Sequence, residues 1–146
     1  MHRVFTRLPR PAESLRDPDH CSECREHAQT LATNTLESLG YEHVGNPGWN
    51  PTCYMSDEGF RYLFPALVRI ASEHEDYWYE LLGFYLQPDI GRQGAFTADE
   101  QSCIAQLLEW FIEVARSDSE EFAFTGDRLI ANAAAWKANL RVRPQP

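Results

Sequence analysis

The sequence predicts an all-α fold, a single-domain bundle of five or six helices that follows an irregular N-terminal arm. Apolar residues recur at intervals of three and four along several segments, which is the period of one helix face. Residues that cap helices stand directly before these segments, and no run alternates apolar and polar residues long enough for a strand. The chain has 146 residues, 43% of them hydrophobic, which suffices for a packed core. We therefore predict an arm over 1–18 and one helical domain over 19–146.

The first part of the chain contains short elements between helix breakers. Three prolines make the arm irregular, because proline lacks a backbone donor. A first helix is predicted from Asp19 or the next residue to Thr33, with Asp19 as its cap. A short helical piece follows over Leu36–Gly40. Residues 45–51 contain two glycines, two prolines and two asparagines, so they predict a loop, which Trp49 anchors to the core.

Two further helices are predicted in the middle of the chain. Ser56 is a good cap for a long helix that extends to Ala71, and acidic residues follow it at the positive helix end. Pro65 lies inside this helix, where it removes a donor and crowds the preceding turn, so we expect a kink or a division into two helices. The next helix is predicted over Asp76–Gln87.

The C-terminal part carries the clearest helix signals. Thr97 and Glu100 form a capping box, in which each side chain satisfies the backbone donor of the other, and a regular apolar face follows to Ala115. The last helix is predicted to begin near Thr125. Its inner face consists of Leu129, Ile130, Ala133, Ala134 and Trp136.

Charge and hydropathy restrict the location and the partners. The net charge is −9, and twelve acidic residues stand against two arginines between Glu73 and Glu121. Such a body repels phosphate backbones, so we expect no nucleic acid, whereas a basic protein would be attracted. The sequence has no apolar run of the length that spans a membrane and no signal-peptide core, which predicts a cytoplasmic protein without membrane contact. The sequence does not determine an oligomeric state.

Two cysteines and two histidines fall within residues 20–27, in a chain with four cysteines and five histidines altogether. Cys21, Cys24 and His27 offer three ligands for zinc, which takes four soft or borderline ligands in a tetrahedron. Cys53 is the first candidate for the fourth ligand, because it follows a loop that can fold back. His43 and His74 are the other candidates, although a lone histidine is usually structural.

Other interpretations of residues 20–27 stay open. They can be an inert, partly buried polar cluster on a helix. Cys21 and Cys24 can form a knuckle at the helix start, where backbone amides stabilise thiolates. Thiol redox chemistry fits the Cys-x-x-Cys pair, but the thioredoxin-like βαβ context is missing. A nucleophilic Cys24 with His27 as its base also fits, and it predicts a pocket lined by Trp49, Tyr54 and Tyr62.

Three motifs resemble those of an uncharacterised family of small bacterial proteins. They are Cys-Ser-Glu-Cys with a histidine three residues on, Asn-Pro-Gly-Trp-Asn-Pro, and Phe-Arg-Tyr-Leu-Phe-Pro-Ala, and together they span about residues 19–71. The resemblance implies a genuine bacterial unit rather than a fragment, and it implies no particular activity.

The sequence thus favours a non-enzymatic bacterial interaction or accessory protein with a structural zinc at Cys21, Cys24, His27 and Cys53. The first alternative is a small metal- or thiol-dependent enzyme that uses the same cluster. The second is an acidic, immunity-type protein that neutralises a basic toxin through charge complementarity.

Overall fold

The computed structural model describes residues 2–5, 8–46, 48–74, 77, 80–87, 92–116 and 119–142. These residues form helices and no strand, apart from one isolated antiparallel bridge between Leu15 and Met55, so the predicted all-α class is confirmed. Within these ranges no helix is both long and apolar enough to cross a membrane. The chain divides into two compact units, 2–78 and 79–146, which are described separately. That residues 19–146 form one domain stays a prediction.

The described residues of unit 2–78 form four α-helices and one short 3-10 helix. The bounds are α1 His2–Phe5, α2 Ser22–Thr33, α3 Tyr41–Val44, the 3-10 helix Pro51–Tyr54 and α4 Asp57–Glu73. The predicted helical piece over Leu36–Gly40 is wrong, because that segment is a turn and α3 begins after it. The hydroxyl of Thr35 accepts the backbone N–H of Ser38, which closes this turn and competes with a helix.

The predicted irregular arm contains α1 and contributes to the core at two points. The buried Phe5 ring lies 5.2 Å from the ring of Phe64 on α4, and Leu15 is buried beside its bridge partner Met55. Between them, the guanidinium of Arg10 donates to the Leu31 carbonyl at the C-terminus of α2, where helix carbonyls lack internal partners. The arm is therefore tied to α2 and α4 by burial and by hydrogen bonds.

Helix α4 begins as predicted and continues through its proline. The Ser56 hydroxyl accepts the N–H of Gly59 at 3.0 Å, which confirms Ser56 as the cap. Pro65 lies inside the single helix Asp57–Glu73, so the predicted division into two helices does not occur. Residues on both sides of Pro65 are buried, including Phe64 and Leu67, and burial of these side chains offsets the lost hydrogen bond.

In unit 79–146, the part of the chain that the structure describes forms two long α-helices and two shorter elements. A π-helical turn covers Glu80–Tyr85 and a 3-10 helix covers Arg92–Ala95, followed by α5 Ala98–Ala115 and α6 Ser119–Val142. The π-helical turn lies within the predicted helix Asp76–Gln87, whose other residues fall partly outside the described ones.

The predicted capping box at the start of α5 is confirmed. The backbone N–H of Thr97 donates to Glu100 Oε2 at 2.7 Å, and the N–H of Glu100 donates to the Thr97 hydroxyl at 3.3 Å. Glu100 is buried, so this pairing also satisfies a carboxylate that is removed from water.

Helix α6 differs from the prediction in its start and in its buried face. It begins at Ser119 rather than near Thr125. Leu129, Ala133 and Trp136 are buried as predicted, whereas Ile130 and Ala134 are exposed. The Asn132 side chain is buried instead and donates to the Leu82 carbonyl, while the Trp136 indole donates to the Leu86 carbonyl. These two bonds satisfy one carbonyl within the π-helical turn and one directly after it, and they set the rotation of α6.

Candidate metal centre

The start of α2 is formed by Cys21 rather than by Asp19. Cys21 has an extended backbone (φ −155°, ψ 178°), and its sulfur accepts the N–H of Cys24 at 3.3 Å. A weak turn precedes it, in which the His20 N–H approaches the Asp17 carbonyl at 3.5 Å. The predicted start at residue 19 or 20 is therefore too early, because Cys21 satisfies the free amide that Asp19 was expected to cap.

The two cysteines at this helix start face each other. Their sulfur atoms are 3.4 Å apart, with Cys21 half-buried and Cys24 only 2% exposed. The arrangement follows from the spacing of three residues, which brings a cap side chain over the first turn of the helix. The predicted knuckle of Cys21 and Cys24 at the helix start is confirmed in its geometry.

His20 completes a group of three ligand-bearing side chains. One imidazole nitrogen of the exposed His20 and the sulfurs of Cys21 and Cys24 all lie within 4.8 Å of one another. In a tetrahedral zinc site with Zn–S bonds of about 2.3 Å, the two sulfurs stand about 3.8 Å apart, close to the observed 3.4 Å. The group can therefore hold a metal ion after small side-chain adjustments.

His27, a predicted ligand, lies outside this group in a cluster of aromatic rings. It is 1% exposed, and its ring centroid is 5.1 Å from that of Trp49 and 5.9 Å from that of Tyr54. Its Nε2 is 3.4 Å from a Glu23 carboxylate oxygen without hydrogen-bond geometry. Trp49 is 42% exposed, so the loop residue covers His27 instead of entering the core as predicted.

Cys53, the predicted fourth ligand, also lies outside the group. It is exposed on the 3-10 helix Pro51–Tyr54, and its thiol donates to the Asn50 carbonyl at 3.1 Å. This short helix packs against α2. The charges of Cys53 and Glu23, followed by burial, raise the pKa of Tyr54, whose ring centroid lies 5.9 Å from that of His27 on α2. Ligation by Cys53 and His27 stays a prediction.

The hydrogen bonds at the helix start give the thiols of Cys21 and Cys24 different pKa values. The pKa of Cys21 is lowered to about 7, because the Cys24 N–H and the His20 side chain donate to its sulfur. Once Cys21 is a thiolate, the proton in the contact between the sulfurs belongs to Cys24. Donation of this proton to Cys21, together with burial, raises the pKa of Cys24. The same pairing with Cys21 raises the pKa of His20. The site thus favours a thiolate beside an imidazolium.

The two remaining candidate histidines have local roles. His43 Nδ1 accepts the N–H of Gly40 at 2.9 Å at the start of α3, and the His74 ring stacks on Tyr41 with centroids 4.3 Å apart. Both contacts agree with the usual structural role of a lone histidine.

The aromatic pocket predicted for an enzyme is not assembled from its three named rings. Trp49 and Tyr54 contact His27, whereas Tyr62 lies under the Arg10 guanidinium, 6.0 Å from ring centroid to Cζ, and lines a groove with Pro11. Tyr62 is therefore part of the attachment of the arm.

The fold and the site define an all-α protein with a Cys/Cys/His group at the start of a helix, close enough together to hold a metal ion. A scan of protein-family models gave no match, and neither did searches of curated proteins and of solved structures.

His20 was not among the ligands predicted from the sequence. A helix that begins at residue 19 or 20 separates His20 from His27 by two turns and favours His27 as the partner of the cysteines. The helix begins at Ser22, so residue 20 belongs to the turn before it. The spacing of three residues between Cys21 and Cys24 is the sequence signal for such a cap. A helix start predicted at Cys21 would have placed His20 in the preceding turn, beside the two sulfurs.

Proposed function

We propose that this protein binds one zinc ion through His20, Cys21 and Cys24. The observation that supports the proposal is the mutual approach of the three ligand atoms to within 4.8 Å. Two thiolates and an imidazole are the donor set that zinc prefers, whereas calcium and magnesium prefer oxygen. Bound zinc would attach the turn before α2 to the first turn of the helix.

Protonation at the site favours metal uptake. Metal ligands must be deprotonated, and the lowered pKa of Cys21 makes its thiolate available near neutral pH. Zinc would then displace the proton of Cys24, whose sulfur lies 3.4 Å away. A cytoplasmic location, which the sequence predicts, provides the reducing conditions that keep both thiols available.

The fourth coordination position decides the role of the ion. Structural zinc sites have four protein ligands, whereas sites that act on a small molecule keep one position for water. We propose the structural role, with Cys53 as the fourth ligand after its thiol leaves the Asn50 carbonyl. On this proposal the protein is a non-enzymatic accessory protein whose zinc joins the 3-10 helix Pro51–Tyr54 to α2.

Elemental analysis of protein purified without a histidine tag tests the proposal. We expect one zinc per chain. Zinc should be lost in Cys21→Ser and Cys24→Ser, and its binding should be weaker in His20→Ala. The matched control is Cys103→Ser, which removes a half-buried thiol on α5 and should leave the zinc content unchanged. Protein that folds normally and takes up no zinc when supplied with it would refute the proposal.

Two further variants distinguish the alternative ligand sets. His27→Phe keeps a ring between Trp49 and Tyr54 but removes the nitrogen donors, so zinc should be retained. Cys53→Ser should lower the affinity for zinc if Cys53 is the fourth ligand and leave it unchanged if water is. Loss of zinc in His27→Phe with retention in His20→Ala would instead favour the set predicted from the sequence.

A further inference from the structure

We infer that Cys21 and Cys24 form a reversible disulfide by exchange with a low-molecular-weight disulfide, and that this reaction expels the bound zinc. The first part depends only on the geometry of the two cysteines. The second part rests on the proposed function, because it assigns a redox control to the same site.

The sulfurs of Cys21 and Cys24 lie close to the distance at which a disulfide bond forms. They are 3.4 Å apart, and a disulfide bond is about 2.05 Å long, so closure needs a movement of about 1.4 Å. Cys21 lies before the helix with an extended backbone, so movement of its side chain alters the cap contact with the Cys24 N–H rather than the backbone hydrogen bonds within α2. Both residues belong to one helix start, and the reaction therefore needs no rearrangement of the fold.

The two sulfurs differ in accessibility, which determines the order of the steps. Cys21 is half-buried and can meet a reagent from solution, whereas Cys24 is 2% exposed. An external disulfide therefore reaches Cys21 first. Because the second attack is intramolecular, it has the advantage of a high effective concentration.

The exchange balances as two displacements. The Cys21 thiolate attacks one sulfur of the reagent R–S–S–R, forms a Cys21–S–S–R bond and releases one R–S⁻. Cys24 loses its proton to solvent, attacks the Cys21 sulfur, forms the Cys21–Cys24 bond and releases the second R–S⁻, which takes up a proton. The protein gives two electrons and the reagent is reduced to two thiols.

Formation of the disulfide removes two of the four ligands of the proposed zinc site, Cys21 and Cys24. A disulfide sulfur is a poor ligand, and the two ligands left, His20 and Cys53, do not retain the ion. Oxidation should therefore release one zinc for each disulfide formed, and reduction should restore uptake. The exposed Cys53 is a competing thiol, so the disulfide is mapped in a background in which Cys53 and Cys103 are serine. Zinc release is measured in the natural chain, because Cys53 is the proposed fourth ligand.

Glutathione disulfide is the probe, added to the metal-free background variant for disulfide mapping and to the zinc-loaded natural chain for zinc release. Alkylation followed by peptide mass mapping should find one Cys21–Cys24 disulfide per chain. The added variant Cys24→Ser should stop at a stable glutathione adduct on Cys21, and Cys21→Ser should leave Cys24 unmodified. A coloured chelator should record zinc release that follows disulfide formation in time and amount.

The outcomes separate the two proposals. Persistence of the glutathione adduct on Cys21 with Cys24 present, or equal modification of Cys24 in Cys21→Ser, would overturn the inferred exchange while leaving zinc binding intact. Disulfide formation in a chain that binds no zinc would retain the exchange and refute the zinc site. Zinc that stays bound after complete oxidation would overturn the coupling.

Discussion

The hydrogen bonds at the start of α2 predict an unusual titration of Cys21 in the metal-free protein. Its pKa is lowered from 9.0 to about 7, with the Cys24 backbone N–H as the largest cause and His20 as the next. The pH is varied in a protein in which Cys24, Cys53 and Cys103 are replaced by serine. This variant keeps the backbone donor at residue 24 and replaces its thiol with a hydroxyl, so Cys21 is the only thiol that reacts.

The expected magnitude follows from the thiolate fraction and the intrinsic nucleophilicity. At pH 7 a thiol with a pKa of 7 is half ionised, against about 1% for a pKa of 9, a gain of about 50-fold. A thiolate of lower pKa is also less nucleophilic, by about eightfold over two pKa units. The net expectation is a rate about sixfold higher than that of the unfolded chain at pH 7.

The assay measures the rate of reaction with an aromatic disulfide reagent between pH 5 and pH 10, in buffer and in urea, with a chelator present. The rate in buffer should rise with an apparent pKa of about 7. His20→Ala in the same background should raise that apparent pKa, because it removes a donor to the Cys21 sulfur. Identical pH profiles in buffer and in urea would refute the assignment of these hydrogen bonds.

The same shift has a definite sign for stability. The folded state favours the thiolate of Cys21, so its contribution is present above the unfolded pKa and is lost as the pH falls through about 7. The raised pKa of His20 acts in the opposite direction and contributes below its ordinary value of 6.5. A titration of unfolding that includes His20→Ala separates the two contributions.

Two packing and capping features give further predictions. Gly59→Ala should lower the free energy of unfolding by about 1–3 kcal/mol, because the added Cβ would overlap the backbone of Ser14. This loss exceeds the gain in helix propensity, which is roughly 1 kcal/mol. The control is Gly94→Ala, where a Cβ meets nothing within 4 Å, and a urea midpoint that falls equally in both variants would contradict this explanation. Thr97→Ala should cost about 1 kcal/mol by removing the acceptor for the N–H of Glu100, which corresponds to a melting temperature lower by about 2–4 °C. Thr97→Ser keeps the hydroxyl and should unfold like the parent, whereas equal losses in both variants would point to the methyl group instead.

Local signals predicted those elements whose hydrogen bonds lie within a few residues. The Thr97–Glu100 capping box and the Ser56 cap are confirmed, because each cap and its partner are three residues apart. The period of apolar residues likewise predicted α5 to its last residue, Ala115. These features need only the neighbouring sequence.

Long-range contacts decided the elements that the sequence misplaced. Helix α4 is continuous at Pro65 because residues on both sides of it are buried. The rotation of α6 follows from the bond between Asn132 and the Leu82 carbonyl, fifty positions earlier in the chain. The attachment of the arm depends on Phe5 meeting Phe64. No local pattern contains these partners, and the gain from burial exceeds the local preference in each case.

The same distinction between local and long-range contacts applies to the candidate site. The local sequence suffices to place the soft ligands within residues 20–27 and to bring Cys21 and Cys24 together, because a spacing of three residues brings side chains together at a helix start. Which histidine joins the two cysteines depends on how the rest of the chain folds. Trp49 and Tyr54 hold the His27 ring in an aromatic cluster, while the turn before Ser22 leaves His20 beside the sulfurs. The physical reason is that packing a ring among distant aromatic residues depends on where the whole chain brings them, whereas a cap depends on three residues alone.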